Sequence, residues 1–161
     1  MQIVGTTSVG ITRDQFIDNV AVDVLKNLPN PFEIWRIKKA FAMNITPTLI
    51  VLLQELERFN KLVLRMLQTL NLLQKALAGE IGMDVVLDNI SNSLFNGQIP
   101  DDWRKLAPDT CKNLSSWMEH LNQRAHQYKY WSSSGEPLVM WLSGLHIPES
   151  FLTALVQVIE T

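Results

Sequence analysis

At 161 residues the chain suits either one compact unit or an ordered piece of something larger, and the cut piece is the preferred reading. Hydrophobic residues make up 47% of it and charged ones 19%, which supplies a core but leaves faces that expect partners. Fourteen basic against sixteen acidic residues give a net charge of −2 with no basic stripe, which argues against a nucleic-acid ligand.

The amino-terminal stretch Met1 to Gly10 lacks the charged segment and long apolar core of a secretory signal. Thr12-Arg13-Asp14-Gln15 is a capping box, in which hydroxyl and amide each satisfy an orphan backbone group at a helix start. The helix it opens is predicted to reach about Leu28, with Phe16, Val20, Val24 and Leu28 on one apolar face beside Ile17 and Ala21. Pro29-Asn30-Pro31 ends it. A shorter helix is predicted from Phe32 to Phe41, burying Ile34, Ile37 and Phe41 and turning Arg36, Lys38 and Lys39 outward.

Thr46-Pro47 pairs a cap with a proline at the first helical position, where its missing N–H costs nothing. The longest helix starts there. Leu49, Leu52, Leu56, Phe59, Val63, Met66, Leu70, Leu73 and Leu77 recur at alternating spacings of three and four until Gly79 stops the helix. Leu53, Leu62, Leu64, Leu67 and Leu72 widen the stripe, which predicts a rod of about 50 Å packed on several neighbours rather than a free coiled coil. Its most apolar run, Leu49 to Leu53, falls far short of the roughly 20 residues of a membrane span.

Further on, Asp84 to Leu94 reads as a helix closed by Asn96-Gly97, Pro100-Asp101-Asp102 opens a turn around Trp103, and Pro108-Asp109 opens another helix. That helix should bury Leu114, Trp117, Met118, Leu121, Ala125 and Tyr128. Ser132 to Gly135 reads as a flexible break, followed by helical pieces over Pro137 to Leu142 and Pro148 to Ile159. No segment of credible length alternates with period two. The expected fold is therefore all-α, a multi-helix bundle built around one long central helix, in one compact unit of three parts: residues 1–45, 46–82 and 83–161.

The chemistry of a catalytic centre is missing. None of Gly5, Gly10, Gly79, Gly82, Gly97, Gly135 and Gly144 is placed for a phosphate loop or a dinucleotide fingerprint. His120 and His126 are six apart and diverge on a helix, so they read as structural rather than as metal ligands. Cys111 cannot form an internal disulfide, which points to the cytosol, and it reads as a buried structural thiol. Glu55 and Glu57 diverge and form no acid/base pair, while Glu57 with Lys61 reads as a surface ion pair. Trp117 and Trp141 read as core anchors. No catalytic, cofactor-binding or metal-binding residue is expected, and no enzyme.

Leu52-Leu53-Gln54-Glu55-Leu56-Glu57-Arg58-Phe59-Asn60-Lys61-Leu62, then Leu73-Gln74-Lys75-Ala76-Leu77-Ala78-Gly79-Glu80, are specific strings. With Ser93-Leu94-Phe95, Ile99-Pro100-Asp101-Asp102-Trp103, Ser116-Trp117, Trp131 to Gly135, Trp141-Leu142-Ser143-Gly144 and Ile147 to Ala154, they resemble the dynein heavy chain near its carboxyl end. The likeness runs from about Thr12 to Gln157, and Leu145 to Leu155 is most like axonemal inner-arm heavy chains. The resemblance implies that residues 1–45 end the small helical part of the sixth AAA+ module and that 83–161 begin the carboxyl-terminal region. It implies a cytoskeletal location in the cilium axoneme and an immediate partner in the rest of the heavy chain, its AAA+ ring. Microtubules and other dynein subunits would be reached through the parent, which binds ATP and Mg elsewhere. The later part of the carboxyl region would lie beyond Thr161. Neither nucleic acid nor membrane is an expected partner. The other class of reading is a free-standing helical adaptor that docks partners on the Leu-rich helix.

Overall fold

A computed structural model describes residues 11–160, so the reading of Met1 to Gly10 lies outside the described residues. Among the described residues, seven α-helices and one 3-10 turn follow in order: α1 (Arg13–Asn27), α2 (Ile34–Ala40), α3 (Pro47–Leu77), α4 (Val85–Phe95), α5 (Asp101–Arg104), α6 (Leu114–Ser134), the turn Leu142–Gly144, and α7 (Pro148–Glu160). Among the described residues there is no strand, and the fold is the all-α bundle expected. The spine is α3, 31 residues or roughly 46 Å long, against which all six other helices pack.

Caps placed the starts of α1, α3 and α4 correctly. Thr12 and Gln15 close the capping box on α1, and Thr46 accepts from the Leu49 N–H at the start of α3. Asp84 does the same for α4 by accepting from the Leu87 N–H at 2.8 Å. Gly79 and Gly97, at φ of 80° and 67°, end α3 and α4 in the left-handed region that suits glycine.

The heptad seam of α3 is covered by the protein's own helices. Leu52, Leu56, Phe59, Val63, Met66, Leu70 and Leu73 are fully buried, and so is Leu62. Leu53 and Leu77 are half-buried, whereas Leu64, Leu67 and Leu72 face outward. At the far end of the core Trp103 is fully buried, stacks on Trp117 at 6.3 Å, and donates its indole N–H to Thr69 at 2.9 Å. Thr69 is accommodated inside the apolar stripe because its hydroxyl also donates to the Arg65 carbonyl one turn back.

Several boundaries differ from expectation, each because a side chain captured a backbone group. Phe32 stays outside α2, since its N–H and carbonyl are both held by the Asn60 amide, at 2.8 and 2.9 Å. The helix expected at Pro108-Asp109 begins at Leu114, because the Thr110 hydroxyl takes the Lys112 N–H and Asn113 then supplies the cap. Ser132 to Ser134 are not a break: Ser132 and Ser133 donate back to the Lys129 carbonyl, and α6 continues to Gly135 at φ 86°. Pro137 to Leu142 is not a helix either, because Gln127 holds Trp141 by both its N–H and its carbonyl. The buried face of α1 is Ile17, Ala21 and Val24, while Phe16 is exposed and meets Phe95 edge-on at 5.5 Å.

A charge placed in this seam should unfold the protein. Leu56→Asp or Leu70→Asp is expected to abolish the helical circular dichroism of a monomer, and sedimentation of a still folded, stable monomer would contradict the packed-spine arrangement.

Candidate functional site

The most concentrated polar chemistry is buried between α3, α6 and the start of α7. Glu55 lies on the covered face of α3, 1% exposed, and Arg124 on the covered face of α6, 2% exposed. Tyr128, one turn beyond Arg124, stands between them. Its hydroxyl donates to Glu55 Oε1 at 2.6 Å and accepts from Arg124 Nη2 at 3.2 Å. Glu55 also accepts the N–H of His146 at 2.6 Å on the same oxygen and the N–H of Ile147 at 2.9 Å on Oε2. Those two donors sit immediately before α7, so the carboxylate caps that helix from a distant element and meets the positive end of its dipole.

Arg124 completes the arrangement by donating Nε to the Gly144 carbonyl at 2.9 Å while its guanidinium lies 5.2 Å from the Phe59 ring centre. Gly144 is required here because an added Cβ would lie 2.4 Å from the Trp141 ring. Trp141 is half-buried, edge-on to His120 at 5.0 Å, and so roofs the turn rather than anchoring the core as Trp117 does.

Burial pushes the Tyr128 hydroxyl well above its ordinary value, Arg124 opposes this, and Glu55 adds to it. The hydroxyl therefore stays protonated and remains a donor. His146 is held below its ordinary value by burial first, then by Arg124 and Arg58 against the pull of Glu55, and its Nδ1 is buried without a hydrogen-bond partner among the described residues. His120 is lowered in the same way, by burial and then by Arg124. Apart from the His146 Nδ1, the charged and hydroxyl groups of Glu55, Tyr128 and Arg124 each bond a neighbour among the described residues. The arrangement joins α3, α6 and the start of α7.

The other expected positions are dispersed. His120 is half-buried and His126 exposed, and Glu57 is exposed with no ion pair to Lys61 within 4.0 Å among the described residues. Cys111 is exposed rather than buried, because it sits in the segment before Leu114 that did not become helix. Among the described residues no three of His, Cys, Asp or Glu cluster to hold a metal ion, and no helix is long and apolar enough to cross a membrane. Glu55 and Arg124 were missed as a pair. Their signal was position: Glu55 falls between Leu52 and Phe59 on the apolar stripe of α3, and Arg124 between Trp117, Leu121 and Tyr128 on that of α6.

Outside this network, a groove of about 980 Å³ lies between α1, α4 and α6, floored by Phe16, Val20, Phe95 and Met118. Residues 1–160 match the family described as the carboxyl-terminal domain of the dynein heavy chain. The protein belongs to that family. It is 54% identical over 153 residues to dynein axonemal heavy chain 10 of Homo sapiens, covering 95% of this chain and 3% of that protein. It is 46% identical over 148 residues to the Dynein-1-alpha heavy chain, flagellar inner arm I1 complex, of Chlamydomonas reinhardtii, covering 92% and 3%. It is 36% identical over 157 residues to dynein axonemal heavy chain 2 of Mus musculus, covering 97% and 4%. The 161 residues thus span a few per cent of the length of these dynein relatives, which are axonemal heavy chains and include one of the inner arm.

The buried network generates two predictions about this dynein domain. Arg124→Met and Glu55→Gln should each cost about 3–5 kcal/mol, because each strands a buried partner, whereas the double variant should cost less than their sum. A double-mutant cycle by urea denaturation measures this, and strict additivity would mean that the Tyr128 bridge couples nothing. His120 and His146 have lowered folded values, so below about pH 6.5 the unfolded state binds more protons. Their contribution is present above that pH and is lost as pH falls through the folded values. Denaturation midpoints should decline from pH 7 to pH 5, and His120→Gln/His146→Gln should flatten the decline.

Proposed function

We propose that this protein is a non-catalytic helical segment of a dynein motor heavy chain, packing on and regulating the AAA+ ring of an ATP-driven microtubule motor in cilia or flagella. Residues 1–45 end the sixth ring module in this reading, 46–82 form the long helix, and 83–161 begin the carboxyl-terminal region. None of its own residues is catalytic, cofactor-binding or metal-binding, and ATP and Mg are bound elsewhere in the parent. Its direct partner is the rest of the heavy chain, through which it reaches microtubules and other dynein subunits. Nucleic acid and membrane are not partners.

The observation that carries this is the surface. Nearly the whole sequence matches axonemal heavy chains of which it spans a few per cent, and it leaves apolar side chains uncovered that its own helices do not use. Leu152, Val156 and Ile159 follow a four-then-three spacing on the outer face of α7, and Leu64 and Leu67 stand on the outer face of α3. The adaptor reading needs the α3 seam open, and that seam is the protein's own core.

Calorimetric titration with Mg-ATP should show no saturable micromolar binding to the isolated chain, and such binding would overturn the non-catalytic reading. Leu152→Asp/Val156→Asp should leave the isolated chain's thermal midpoint nearly unchanged, as exposed substitutions do. In the intact heavy chain it should change the microtubule-stimulated ATPase rate. An unchanged rate would sink the regulatory part.

A further inference from the structure

The short helix α2 has no fully buried residue. Its apolar side, Ile34 and Ile37 with Phe41 beyond its end, is spent against the core, and the Asn60 clasp on Phe32 fastens the segment to α3. What remains outward is of one character. From Ile34 to Gln54 the sequence has Arg36, Lys38 and Lys39 and none of its 16 acidic residues. Trp35 is 61% exposed, Met43 93% and Ile45 66%. Arg36 is occupied locally, paired with Glu33 at 2.5 Å and lying 5.2 Å from the Trp35 ring. Lys38 and Lys39 are exposed and make no ion pair within 4.0 Å among the described residues.

We infer that this face docks an acidic surface elsewhere in the heavy chain that offers an apolar socket to Trp35, an inference that rests on the packing reading above. An exposed tryptophan flanked by charge of one sign is the composition of an interface anchor: the ring supplies the buried contact, and the lysines select and steer an opposite charge. A phosphate backbone is a poorer fit, since two unpaired lysines fall short of the about 6–10 phosphate contacts such binding uses. A membrane surface is poorer too, because lying in it requires a free apolar helix face, and that of α2 is already turned to the core.

Acetylation rates of individual lysines, read by mass spectrometry on the isolated protein and on the intact heavy chain, test this together with zero-length carbodiimide cross-linking. Lys38 and Lys39 should react severalfold more slowly in the heavy chain at low salt, recover at about 1 M salt where the screening length falls to about 3 Å, and cross-link to aspartate or glutamate outside these 161 residues. Trp35→Ser should restore the acetylation rates of Lys38 and Lys39 in the heavy chain and weaken their cross-links, while keeping the circular dichroism of the isolated protein. If Lys61, Lys112 or Lys129 is protected in the heavy chain but Lys38 and Lys39 are not, this inference fails and the packing reading stands. If no lysine is protected, both fail. Protection of Lys38 and Lys39 by vesicles of phosphatidylserine and phosphatidylcholine, without protection in the heavy chain, would assign the face to a membrane and overturn the proposal.

Discussion

A carboxylate cannot be taken out of water without hydrogen bonds, and Glu55 meets that requirement by accepting from a tyrosine hydroxyl on α6 and from two backbone N–H groups ahead of α7. Because its donors come from segments more than 70 positions away in sequence, satisfying one side chain fixes where two later elements sit on the spine. Arg124 extends the same constraint to the turn at Gly144, and the Tyr128 hydroxyl, kept protonated by burial, transmits it between the two charges. Apolar packing alone would let α7 slide or rotate on α3. Directional bonds to a buried oxygen do not.

The same device recurs with neutral amides. Asn60 receives and returns a hydrogen bond with the backbone of Phe32, and Gln127 does so with Trp141, so each fastens an irregular segment to a helix as a strand partner would. Thr48 donates to Glu136 and ties the same post-α6 segment to the start of α3. Connections that would otherwise fray are thereby held in register. On the outside, Arg65 binds Asp102 through two nitrogens, which holds the Asp102 carboxyl below its usual range and fixes α5 beside α3.

Such internal bracing leaves the interior and the exterior with different characters. The interior is closed by the protein's own groups, whereas the exterior keeps Trp35, Leu138, Val139, Leu152, Val156 and Ile159 in contact with solvent.

Local chemistry determined much of this by itself. The capping box at Thr12, the cap and proline at Thr46-Pro47, the glycines at 79 and 97, and the three-and-four spacing along α3 act over a single turn, so each is readable without knowing what lies across the core. The all-α class and the central helix followed from them, and the carboxyl-terminal blocks carried the family. What the sequence could not decide was which polar groups would find each other. Whether Glu55 is a solvated charge or a buried clamp depends on α6 and the residues before α7 arriving around it, and whether Pro137 to Leu142 coils depends on Gln127 reaching Trp141 first. Those bonds join residues far apart in the sequence, and only the packed tertiary arrangement lowers their cost enough for them to outcompete the local helix.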